Sequence, residues 1–370
     1  MSGVTFKIEK SWSFVPEKGT IALDSKGNKV AIAVSRSSMR STKKSEEAGF
    51  GYVVWKKGKV LMSWRFDSEK GLNCAAFHPR DDLVIFGNDE GTLYVFTEDG
   101  DLIKTIELNS PVLSCAFSNS GERVALGFEG GKVSIRDSSF EPLWEYLTDD
   151  NVWSLSWSPD EKYLAVASHD NNLYILTKPK DVWRETFSTG VNRVHWCGEK
   201  LAAGTWDPGI VAVYNVSDPT SPEKLWEKEL LSSVWGLSWN DACSHLAAGA
   251  TNSVMKVFDT EGEAILSMEL YPIDDLKWKG EFLTVAGKDH VDAFSMYTCT
   301  PFILPSFKRF KTYSLSQPGT VVEVSEALYL LMGRPKKVLV NGDELEVRVV
   351  PGNFLYIISP YDGEVEVEVP

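Results

Sequence analysis

One pattern is written five times between Leu72 and Trp239, and its period limits the fold more than any other feature. The copies open on Leu72, Val112, Val152, Val191 and Val234, at spacings of 40, 40, 39 and 43 residues. A fixed period of this size marks a repeat architecture, in which each unit buries its apolar face against the next. Within a copy, an apolar strand ends on a large aromatic: Phe77, Phe117, Trp157, Trp196 or Trp239. A polar turn follows, such as Ser118-Asn119-Ser120-Gly121. The second strand is small and apolar (Leu164-Ala165-Val166, Leu246-Ala247-Ala248), a hairpin leads to a third, and a more polar fourth closes the unit, as at Leu102 to Leu108. Four short strands per period describe a propeller blade, with inner strands buried on both faces.

Two weaker copies flank the five. Ile273 to Tyr297 keeps the aromatic at Trp278, and Leu23 to Phe66 is lengthened by an insertion, Ser35 to Gly49. The total is seven blades. The last has three strands, and Phe6 to Phe14 (FKIEKSWSF) is in phase to supply its fourth and close the ring, which removes two open sheet edges.

The units resemble WD repeats, as in FSNSGERVALGFEGGKVSIRD and WNDACSHLAAGATNSVMKVFD, over residues 6–297. The Gly-His that usually opens such a repeat is absent, and the closing Trp-Asp survives as Arg136-Asp137 and Phe258-Asp259. The resemblance implies a non-enzymatic scaffold that offers one propeller face to a protein partner.

The expected organisation is all-β: a seven-bladed propeller over 1–300, a connector over 301–317, and a C-terminal all-β module over 318–370. In the module, period-two stretches include Val321 to Val324, Leu328 to Leu331, Lys337 to Val340, Glu344 to Val349, Phe354 to Ile358 and Glu364 to Val369. Asn341-Gly342-Asp343 signals a tight hairpin, and a small sandwich is the expected form. PKKVLVNGDELEV resembles appended β-sandwich modules, including some in glycoside hydrolases.

Composition narrows the function classes. A net charge of −14 opposes a general nucleic-acid or anionic-membrane binder. The N-terminus lacks an apolar signal core and no run is long enough to span a membrane, so a cytoplasmic location is expected. Five cysteines with no CxxC pair fit reduced thiols.

Signals for chemistry are sparse. His78, His169, His195, His245 and His290 fall on different blades without metal-ligand spacing. Gly127-Phe128-Glu129-Gly130-Gly131-Lys132 lacks the first glycine and the Ser/Thr of a phosphate loop and joins two strands, so it reads as a hairpin. Asp149-Asp150 and Asp274-Asp275 read as blade-connecting loops. Asp274 or Asp275 with Asn73 and Asn192 is the sole candidate for a channel metal, the basis of a hydrolase alternative. No catalytic set, metal or cofactor is assigned.

Residues one past each opening apolar position should gather at a channel mouth: Asn73, Leu113, Trp153, Asn192, Trp235 and Asp274, joined from a hairpin by Trp206. Tryptophan often carries interface energy, but it can also fill a channel. Two basic stretches support an alternative role as an RNA-associated factor. One is the insertion with Arg36, Arg40, Lys43 and Lys44; the other is Phe307-Lys308-Arg309-Phe310-Lys311 in the connector.

Overall fold

The structure is a computed structural model. It describes residues 5–35, 48–57, 60–287, 289–300, 312–315, 321–323, 337–340, 343–344, 347–350, 354–357 and 363–368. Two compact units divide the chain, one of residues 10–294 and one of residues 1–9 with 295–370.

The larger unit is the seven-bladed propeller. Six consecutive four-stranded antiparallel sheets occupy 20–68, 72–107, 112–147, 152–186, 191–229 and 234–269. The seventh has Ile273–Lys279, Phe282–Gly287 and His290–Thr300, and Thr5–Phe14 pairs with the last of these. The N-terminal strand therefore completes blade 7, as its phase in the sequence requires. Ser13 Oγ donates to Asp292 Oδ1 at 2.6 Å, and Lys10 reaches the same oxygen at 2.8 Å. Trp12 and Phe14 pack on the core of blade 1 beside Ala286 and Val291 of blade 7, so one strand binds both ends of the ring.

The core lies between blades. One cluster joins Ala165 and Ile175 of blade 4 to Val194 and Trp196 of blade 5, and another joins Ile85 and Val95 to Val124 and Leu126. This is why second strands such as Leu164–Ser168 are buried throughout, while fourth strands such as Pro142–Leu147 alternate between exposed and half-buried. Two repeated glycines show how close the blades come. A Cβ on Gly87 would meet Val112 Cγ1 at 2.7 Å, and one on Gly204 would meet Val234 Cγ1 at 2.6 Å. In each case the methyl belongs to the residue opening the next blade.

The cysteine expectation is overturned for four of the five. Cys74 pairs with Cys115 and Cys197 with Cys243, at Cα separations of 5.9 and 5.5 Å, within disulfide range. The reason is register. Neighbouring blades stand side by side, so residues 41 and 46 apart, about one period, become contacts.

In the smaller unit, Cys299 and Thr300 pair in parallel with Val321 and Val322, Val321–Glu323 pairs with Phe354–Ile357, and that strand pairs with Val347–Val350. Gly363–Glu368 lies between Thr312–Leu315 and Lys337–Val340. Val340 stands opposite Asp343, flanking the expected hairpin, whose Asn341 and Gly342 lie outside the described residues, as do Leu328 to Leu331.

Candidate partner-binding face

First strands of adjacent blades converge on the axis without forming a backbone ladder, so their facing N–H and C=O groups need other partners. Side chains supply a bridge at every one of the seven seams. Asp24 accepts from Phe77 N at 2.8 Å, Asn73 donates to Val112 O at 3.2 Å, and Ser114 donates to Val152 O at 3.0 Å. Ser156 accepts from Trp196 N at 2.9 Å, and His195 Nδ1 accepts from Trp239 N at 2.8 Å. Ser238 accepts from Trp278 N at 3.0 Å, and Asp275 accepts from Leu23 N at 2.8 Å. Asp274 and Asp275 thus lie in the first strand of blade 7, Ile273–Lys279, and not in a connecting loop. Asp149 and Asp150 do connect blades. Among the described residues, no three His, Cys, Asp or Glu side chains converge as a metal site.

His195 is set into this circle as a neutral ring. Burial, and then the cations of Lys277 and Lys279, push its imidazole down to about 3, against a small opposing effect of Asp241. A proton on Nδ1 would also collide with the Trp239 N–H. The unfolded chain takes up a proton near pH 6.5, so stability falls as pH drops from about 6.5 towards 3. His195→Asn keeps an acceptor without the titration. Between pH 6.5 and 5 the native protein should lose stability more steeply than the variant, by about 1 kcal/mol per pH unit in urea melts. Parallel profiles would contradict this.

The loops leading into first strands share one face with the hairpins between second and third strands. A band of backbone hydrogen bonds joins them, including Glu129 N to Pro111 O, Thr148 N to Gly131 O, His169 N to Asn151 O and Trp206 N to Gly190 O. Gly130 and Gly131 turn one such hairpin with φ of 79° and 90°, so this segment joins two strands.

Six of the seven residues expected at the mouth share a backbone feature. The ladder between first and second strands shifts register around Asn73, Leu113, Trp153, Asn192, Trp235 and Asp274. A bulge leaves one residue unpaired and re-aims its side chain. Blade 1 pairs Thr20–Lys26 without a shift. All six are buried: Trp153 is 9% exposed and Trp235 2%. With Leu113 they form a cluster on which the half-buried Trp206 packs. The rings meet edge to face, Trp153 to Trp235 at 5.5 Å, Trp206 to Trp235 at 5.8 Å and His169 to Trp206 at 5.4 Å.

Arg193 holds the cluster from within the channel. Its guanidinium lies 4.9 Å from the Trp235 ring centroid, donates to Trp153 O and Asp274 O, and stands 3.7 Å from Asp275. Arg193, Asp24, Ser114, Ser156 and Ser238 were not singled out from the sequence, and His195 and Asp275 were singled out without their seam roles. Their signal was a polar residue inside an otherwise apolar first strand. Arg36, Arg40, Lys43, Lys44 and the run Phe307, Lys308, Arg309, Phe310, Lys311 lie outside the described residues.

Seven inter-packed four-stranded blades around a common axis define a β-propeller. The family model described as "WD domain, G-beta repeat" matches residues 141–175. Intraflagellar transport protein 122 homolog of Mus musculus is 23% identical over 242 residues, covering 62% of this chain and 20% of that protein. Telomerase protein component 1 of Mus musculus is 36% identical over 265 residues, covering 65% of this chain and 10% of that protein. The chain thus spans a fifth or less of the length of these relatives. A chain of a solved structure titled "Crystal Structure of Mitotic Checkpoint Complex" superposes with a TM-score of 0.66 at 13% identity, covering 78% of this chain and 92% of that one. Repeat, fold and matches together show a β-propeller whose units are similar to WD repeats. Among the described residues, no helix is long and apolar enough to cross a membrane.

Proposed function

We propose that the protein is a non-enzymatic scaffold that binds a protein partner through the face carrying Trp206 and His169. One observation carries this reading. The seam side chains and Arg193 are spent on holding the ring together, whereas Trp206 and His169 remain partly open at the mouth. A half-exposed tryptophan on a rigid frame binds at low entropic cost. Trp153 and Trp235 support the platform from below; replacing either by alanine would cost about 3–5 kcal/mol of stability and so confound a binding test. The C-terminal module, 318–370, is in this reading a separate all-β unit appended to the platform.

The test is affinity purification from the source cells with three tagged forms: native, Trp206→Ala/His169→Ala on the face, and Leu143→Ser on the outer rim, where Leu143 is 52% exposed. The face variant should stay folded, melting only several degrees below the native protein, and lose a partner that the rim variant retains. A partner kept by the face variant and lost by the rim variant would refute the reading.

A further inference from the structure

The loops around Trp206 have a one-sided charge. Glu129 and Asp207 come from hairpins, Asp149 and Asp150 from the loop between blades 3 and 4, and Asp170 from the hairpin of blade 4. Residues 129–131, 148–151, 169–171, 187–190, 206–209 and 230–233 contain no lysine or arginine. Of the cations next along the chain, Lys132 is turned to Glu145 at 3.7 Å and to the Phe128 ring, and Arg193 is engaged beneath the mouth by Trp153 O, Asp274 O and Asp275.

The carboxylates and the aromatic mouth are one continuous surface. Gly130 N donates to Asn151 Oδ1 at 2.9 Å and Asp149 N to Asp170 Oδ2 at 3.0 Å, which draws the three acidic loops together. Asp150 Oδ2 stands 3.7 Å from His169 Nδ1, and His169 meets Trp206 at 5.4 Å. Leu231, from the loop between blades 5 and 6, is 75% exposed beside the Trp206 hairpin, where Leu230 N bonds to Gly209 O. Carboxylates alone would suit many solutes. Carboxylates around an open indole and an exposed leucine suit a cation on an aliphatic stem.

We propose that this sector, blades 3 to 5, takes a lysine- or arginine-bearing segment of the partner protein. This rests on the scaffold reading of the same face and names the class of its partner. The partner's cationic head sits against Trp206 among Asp150, Asp170 and Asp207, and its methylenes and apolar neighbours cover Leu231. The attraction combines cation–π contact with charge complementarity, so association is fast and salt-sensitive. The same field repels nucleic acid from this sector.

The experiment is selection of random dodecapeptides displayed on phage against the full chain, followed by affinity measurement on the synthetic winners. Winners should be rich in lysine and arginine beside leucine or aromatic residues. Asp150→Asn/Asp207→Asn should weaken them at least tenfold at low salt. The control Asp99→Asn/Asp101→Asn removes equal charge from the turn between the third and fourth strands of blade 2, on the opposite face, and should change affinity less than twofold. Equal weakening by both pairs would show attraction to net charge alone and overturn the proposal. Winners without cations that still require Trp206 would overturn it while leaving the scaffold reading standing. Winners indifferent to Trp206→Ala, or no winners, would overturn both.

Discussion

A chain lacking residues 1–14 should melt at a temperature lower by roughly 10 °C or more and with a broader transition, because the ring then has no latch. The segment packs Trp12 and Phe14 on the blade 1 core, pairs with the third strand of blade 7, and brings Ser13 and Lys10 to Asp292. Two half-buried aromatics are worth about 1–2 kcal/mol each from area alone. Removing Ser13 and Lys10 from the Asp292 side chain, 4% exposed, adds about 1–3 kcal/mol for a buried carboxylate stripped of its cation. A total on the order of 5 kcal/mol lowers the melting temperature by about 2 °C or more per kcal/mol in a domain of this size. Circular dichroism melts decide the matter; a truncated chain that melts as the full one does would remove the latch from the account.

Reduction should have an effect of similar size. Cys74–Cys115 and Cys197–Cys243 close loops with sequence separations of 41 and 46. Loop entropy assigns about 4 kcal/mol to each such crosslink, an upper figure because the reduced chain retains structure. A non-reducing peptide map should recover these two linked pairs, and a thiol reductant should lower the melting temperature by several degrees. The double variant Cys74→Ser/Cys243→Ser should already melt low and respond little to reductant. Free thiols at all four positions in protein purified without reductant would contradict the pairing.

The fold was far more legible than the site. A 40-residue period with small apolar second strands is enough to place seven blades, because inner strands buried on both faces leave little freedom in composition. The N-terminal strand was legible by elimination, since blade 7 lacked an edge. The positions of Asn73, Leu113, Trp153, Asn192, Trp235 and Asp274 were also readable, yet their burial was not. Whether a bulged side chain faces solvent or a neighbour depends on what arrives from the other blades, and Arg193 arrives from blade 5. The two cysteine pairs were hidden by counting parity when the informative quantity was their separation relative to the period. The acidic sector escaped notice because its carboxylates belong to four separate loops that only the ring brings side by side.

The central claim is a ring closed by its own first strand, and one crosslink tests it. Ser13 Oγ and Asp292 Oδ1 are 2.6 Å apart although 279 residues separate them. In the variant Ser13→Cys/Asp292→Cys, mild oxidation followed by non-reducing peptide mapping should yield a peptide pair joined through positions 13 and 292. Absence of that pair, with the native pairs formed, would contradict the closed ring.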